Sequence, residues 1–124
     1  MGRVFYNKLI RDHIPEKIAA GGEQCATRAI ADDAEFEQEL LKKVAEEAGG
    51  LARSRSREDF LREYADLMVV LDALTATLGF SEADINVALK ESLKRKGGFS
   101  KRLFLEWSDA GKYESDETPQ GLGA

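Results

Sequence analysis

Residues 63–78 read EYADLMVVLDALTATL, and the apolar side chains in this stretch fall on nearly every face of a helix. Tyr64, Ala65, Leu67, Met68, Val69, Val70, Leu71, Ala73, Leu74, Ala76 and Leu78 leave little polar surface. A helix of that kind belongs in the middle of a bundle or in a subunit interface. Its start is marked upstream in the polar run SRSRED, where Ser56 is placed to cap the helix and Asp59 sits three residues on in the capping-box position. Gly79 closes it. The spacing therefore predicts a helix over about 57–78.

Upstream, Asp32-Asp33 with Glu35 in the first turn marks another helix start. Phe36, Leu40, Leu41, Val44, Ala45, Ala48 and Leu51 recur from there at helical spacing. Gly49-Gly50 is expected to interrupt this helix near its end, since each glycine costs about 1 kcal/mol relative to alanine. Nearer the N-terminus, Leu9, Ile10, Ile14 and Ile18 suggest a short helix that Pro15 begins and Gly21-Gly22 ends. Downstream, Ser81 caps a fourth helix, acidic at its start (Glu82, Asp84) and basic at its end (Lys94, Arg95, Lys96), before Gly97-Gly98. The class is all-α, a helical bundle, with short extended segments or strands near 23–31 and 102–107. One domain is expected over 1–109, with a polar, frayed tail over 110–124.

Composition narrows the function. Net charge is −5 over 124 residues, which argues against a broad nucleic-acid-binding surface, because phosphate-backbone binding needs clustered Lys and Arg. No apolar run is long enough to span a membrane, and Met1–Ile10 lacks a signal-peptide core. The lone cysteine, Cys25, excludes an intrachain disulfide and suits the cytoplasm. It reads as a small, partly buried hydrophobe. His13 is the only histidine and reads as a surface residue. Phe99, Phe104 and Trp107 are expected to pack a C-terminal arm against the bundle or a neighbouring subunit.

Glu63 and Asp66 stand three apart and share a helix face, with Asp59 four before Glu63. Glu46 and Glu47 end the apolar stripe of the preceding helix. Helices joined by a short turn pack antiparallel, so carboxylates near that turn on both helices can converge. A solvated acidic face and a site for a hard cation are both open on spacing alone. Asp66 within the most apolar stretch adds weight to the cation, because an unpaired carboxylate there would be costly.

Three segments resemble the all-α nucleoside triphosphate pyrophosphohydrolases, the MazG-like and phosphoribosyl-ATP pyrophosphohydrolase-like group. They are YNKLIRDHIP at 6–15, KVAEEAGGL at 43–51 followed by EYADLMVVLDAL at 63–74, and KRKGGFSKRLFLEW at 94–107. They occur in the order that a house-cleaning subgroup would require. The resemblance implies a Mg²⁺ site, with Mn²⁺ as an alternative, built from an E-x-x-E pair on one helix and an E-x-x-D pair on the next. Glu63 and Asp66 match the second pair. Glu47 matches the first member of the first pair, but Gly50 stands where the second glutamate belongs.

The same resemblance implies an enzyme that cleaves the α–β phosphoanhydride of a nucleoside triphosphate, giving a nucleoside monophosphate and pyrophosphate. Glu47, Glu63 and Asp66 would hold the metal, with Glu46 orienting or deprotonating the attacking water. Lys8, Arg11, Lys94, Arg95, Lys96 and Lys101 would neutralise phosphates. A homodimer or a dimer of dimers is implied, with no nucleic acid polymer and no membrane as partner. The alternative is a nucleotide-binding or regulatory domain of the same fold, impaired in turnover by Gly50.

Overall fold

Capping chemistry sets the helix starts. Asp32 has an extended backbone and its carboxylate accepts from the Glu35 N–H at 3.0 Å, opening a helix over Asp33–Ala52. Ser56 does the same for Arg57–Thr77, its hydroxyl accepting from the Asp59 N–H at 3.0 Å. Ser81 and Asp84 form a reciprocal box at the head of Glu82–Lys96, with distances of 3.1 and 2.8 Å. A short helix, Ile14–Ala20, begins on Pro15 and closes at Gly22, whose φ of +82° suits a residue without Cβ. In chain order these are α1 (Ile14–Ala20), α2 (Asp33–Ala52), α3 (Arg57–Thr77) and α4 (Glu82–Lys96).

The structure is a computed structural model that describes residues 2–109. The all-α class holds, with no strand among the described residues. The segments near 23–31 and 102–107 are irregular connectors, so the strand option for them is set aside. The tail expected over 110–124 lies outside the described residues. The chain falls into two compact units, Met1–Ile85 and Asn86–Ala124.

In the first unit α2 packs on α3. Leu40, Val70 and Leu74 are its buried residues, flanked by Leu9, Phe36, Val44 and Ala73. Phe36, Leu40 and Val44 repeat every four residues, and Val70, Ala73 and Leu74 share one face of α3, so each helix offers one stripe. Burying each of the large side chains contributes about 1.5–3 kcal/mol. Leu40 meets Val70 and Leu74, while Gly50, ten residues later, faces Glu63. Contacts that step forward on α2 and backward on α3 make the pair antiparallel, as the four-residue link at 53–56 requires.

Two expectations need correction. The glycines at 49 and 50 do not interrupt α2, which continues to Ala52, and the Arg53 N–H bonds to both Gly49 and Gly50 carbonyls at 3.2 Å. Cys25 is exposed, not partly buried. In the single chain Phe99, Phe104 and Trp107 are exposed. The apolar wrap of α3 is only partly used: Phe60, Leu61, Tyr64, Met68 and Val69 all remain exposed.

Candidate metal centre

The stripe that builds the core also aims the acids. Glu47 lies seven residues beyond Leu40, two turns further along the same face of α2. Glu63 and Asp66 lie seven and four residues before Val70 on the facing stripe of α3. Antiparallel packing thus brings the polar ends of both stripes together beside the 53–56 link. One oxygen from each of Glu47, Glu63 and Asp66 lies within 4.8 Å of the others. Of the five acids that spacing left open to converge, Glu46, Glu47, Asp59, Glu63 and Asp66, these three come together; they are also the set that the motif resemblance implies.

Carboxylates so close repel one another, and Glu47 is the member of the cluster in which burial adds to that repulsion. The Glu47 side chain is 19% exposed. Its pKa is raised, first by burial and then by the charges of Asp66, Glu46 and Glu63, against the opposing pull of Lys43. Asp66 is less enclosed than its apolar neighbours suggest: its side chain is 43% exposed and Arg11 Nη1 stands 3.6 Å from its Oδ1. The cost expected of an unpaired buried carboxylate is therefore not incurred there. An all-oxygen, all-carboxylate donor set without His or Cys fits a hard divalent cation such as Mg²⁺ or Mn²⁺.

The other acids are committed elsewhere. Glu46 accepts from Lys8 at 2.8 Å and from Lys43 at 3.3 Å. The Lys8 hydrogen bond, with Lys43 assisting, holds its carboxyl below the usual range, and Glu46 in turn raises the Lys8 ammonium. A carboxylate so stabilised is a poorer proton acceptor, so the pairing suits positioning better than deprotonating water. Asp59 bonds to Arg62 at 2.8 Å and to the Arg55 N–H at 3.1 Å, which lowers its pKa. It belongs to the cap of α3, not to the acid cluster.

Lys8 and Arg11 are the two expected phosphate-binding cations found in this unit, each tied to a carboxylate of the α2–α3 face. Lys94, Arg95 and Lys96 form the last turn of α4, which Gly97 closes with φ +75°, and Lys101 follows. These four belong to the second unit. Lys43 was not singled out from the sequence. Its spacing of three and four residues from Glu46 and Glu47 is the signal that would have found it.

Gly50 is the other residue whose role emerges only in three dimensions. A Cβ built on it would lie 2.6 Å from Glu63 Oε2 and 3.2 Å from Glu63 Cδ. Two open surface depressions, one lined by residues including Thr75, Phe80 and Ile85 and one by residues including Arg55, Phe60 and Leu61, contain none of the three acids. No described helix is by itself long and apolar enough to cross a membrane. Among known protein families, curated proteins and solved structures, none matches the chain.

Proposed function

We propose that this chain is a Mg²⁺-dependent nucleoside triphosphate pyrophosphohydrolase of the all-α, MazG-like type, acting on unwanted nucleotides in the cytoplasm. The observation that carries the reading is the convergence of Glu47, Glu63 and Asp66 from two helices. The motif resemblance supplies the reaction class. Water attacks phosphorus, the α–β P–O bond breaks, and the products are a nucleoside monophosphate and pyrophosphate. A bound Mg²⁺, or Mn²⁺ in its place, would polarise the phosphoryl oxygens and make water more acidic.

The protein's own residues divide the remaining work. Glu47, Glu63 and Asp66 supply the oxygen ligands. Lys8 and Arg11 stand at the edge of the acid face and are placed to exchange their carboxylate partners for phosphate oxygens. Glu46 holds Lys8 in that place. Lys94, Arg95, Lys96 and Lys101, in the second unit, are the further phosphate-binding cations that the motif resemblance implies, beside a glycine pair at 97–98 whose backbone N–H groups could approach a phosphate. The same reading includes self-association as a homodimer or a dimer of dimers, favoured by the exposed Phe60, Leu61, Tyr64, Met68 and Val69 on α3.

The test is pyrophosphate release from a panel of ribo- and deoxyribonucleoside triphosphates with Mg²⁺ or Mn²⁺. Release is expected to stop with a chelator and in Glu63→Gln and Asp66→Asn. Turnover that survives both substitutions in folded protein would overturn the reading. A second reading, nucleotide binding without turnover, is favoured by Gly50 and by the commitments of Glu46 and Asp59, which leave no fourth carboxylate in the cluster among the described residues. It expects thermal stabilisation by nucleotide and no release from the native chain with either metal.

A further inference from the structure

We propose that Gly50 is a positioning residue, whose missing side chain lets the Glu63 carboxylate close onto α2 and join Glu47 and Asp66 around a single divalent cation. This role rests on the metal-centre reading and adds to it a residue that contributes no ligand.

The helix α2 holds an oddity. Glycine is among the poorest helix formers, yet α2 carries two in succession and continues through both to Ala52. The two positions face different neighbours. The nearest atoms to a Cβ at Gly49 would be those of the Arg53 guanidinium, at 3.0 and 3.5 Å. The nearest atoms to a Cβ at Gly50 would all belong to Glu63, with Oε2 at 2.6 Å, Cδ at 3.2 Å and Oε1 at 3.7 Å. Real Cβ atoms do not tolerate the first of these distances, so any side chain at position 50 must push the carboxylate of Glu63 away.

What moves is the end of a flexible side chain, so the fold can absorb the change. The ligand geometry cannot absorb it so easily. Gly50 comes three residues after Glu47 and shares its face, so the surface that Glu63 rests on continues the face that presents Glu47. In its present position Glu63 has an oxygen within 4.8 Å of oxygens of both other acids. Neither Glu46 nor Asp59 is free to replace it: Glu46 is held by Lys8 and Lys43, and Asp59 by Arg62 and the Arg55 N–H. Three oxygens in that compass are few enough to serve one cation, with the remaining coordination left to water or phosphate.

The two glycines provide their own control. Gly50→Ala and Gly49→Ala both replace a glycine within α2 by the best helix former, but only the first intrudes on Glu63. Mn²⁺ binding would be measured by calorimetry and by the loss of the free-ion EPR signal, with circular dichroism melting of the metal-free proteins alongside. The native chain and Gly49→Ala are expected to bind one Mn²⁺ per chain with matching affinity. Gly50→Ala is expected to bind about ten- to a hundred-fold more weakly, the range for displaced supporting residues of metal sites, while melting no lower than the native chain. Equal affinity in both alanine variants, or an equal loss in both, would overturn the role of Gly50 and leave the metal centre standing. Two ions per chain at similar affinity would overturn the single-cation centre. Failure of the native chain to bind Mn²⁺ would overturn the metal-centre reading, and this inference with it.

Discussion

Arg11 Nη1 lies 3.6 Å from Oδ1 of Asp66, so a guanidinium from the N-terminal segment faces one of the three clustered acids. Both side chains are about half exposed, and such pairs contribute roughly 0–1 kcal/mol. The contact is weak enough to exchange, which is what a residue shared between a carboxylate and a phosphate requires. Arg11→Ala should therefore act in opposite directions on two ligands. Mn²⁺ alone should bind up to about five-fold more tightly, because a competing cation worth at most ~1 kcal/mol has gone. The extra stabilisation that a nucleoside triphosphate gives the Mn²⁺-loaded protein should shrink, as read by thermal shift. A parallel loss of both affinities would refute the exchange.

Glu47 gives a pH signature of opposite sign with and without metal. Burial, with the charges of Asp66, Glu46 and Glu63 adding to it, raises its pKa in the folded chain. A carboxyl raised on folding binds its proton more tightly in the folded than in the unfolded state, so the metal-free fold gains stability as pH falls through the folded pKa. Metal binding favours the ionised form and should reverse that slope. Glu47→Gln should accordingly melt higher than the native chain at neutral pH without metal, and should gain nothing from added Mn²⁺. Melting curves between about pH 5 and 8, with and without Mn²⁺, test both halves. A native metal-free protein that loses stability steadily as pH falls across this range would refute the first.

Much of this site could be read from the chain because helical geometry carries it. Leu40 to Glu47 and Glu63 to Val70 are both steps of seven, so each acid had to share a face with a core residue, and a short link had to set the two faces against each other. The caps at Asp32, Ser56 and Ser81 were legible for a similar reason, being local in sequence. Gly50 was not legible. A glycine in a helix looks like a break until the neighbour across the interface is known, and that neighbour, Glu63, is thirteen residues away. The exposure of Asp66 was hidden in the same way, since neighbours along the chain suggested burial and the packed face turned out to be narrower. Asp59 was legible both as a capping-box residue and as a member of the acidic face, and its bonds to Arg62 and the Arg55 N–H, which spacing does not reveal, decide for the cap.

The small enclosed core makes a prediction about assembly. Leu40, Val70 and Leu74 are the buried apolar residues among those described, whereas the exposed face of α3 includes stacked Phe60 and Tyr64, with ring centroids 6.1 Å apart, together with Met68 and Val69. Leu74→Ala should cost about 2–5 kcal/mol, the range for truncating a buried leucine. If α3 pairs with a second copy, the melting temperature should rise with protein concentration, and light scattering should return at least twice the chain mass. Met68→Lys should lower the mass towards that of one chain. A monomer at working concentration with a concentration-independent melt would refute self-association.

The cap of α3 ties the stability of the fold to acid. Ser56 Oγ accepts from the Asp59 N–H, and Asp59 accepts in return from the Arg55 N–H and from Arg62. Ser56→Ala should cost about 1 kcal/mol, as loss of an N-cap usually does, and should loosen the turn from which Glu63 is presented. The Arg62 hydrogen bond, followed by that from the Arg55 N–H, lowers the Asp59 pKa. A carboxyl lowered on folding contributes stability that is present above its unfolded pKa of about 3.9 and is lost as pH falls through the folded value. The acid limb of the melting profile should therefore steepen below about pH 4, and Asp59→Asn should flatten it while leaving the neutral-pH Mn²⁺ affinity unchanged. Loss of Mn²⁺ binding in Asp59→Asn, in protein that keeps its helical content, would mean that Asp59 serves the metal centre after all.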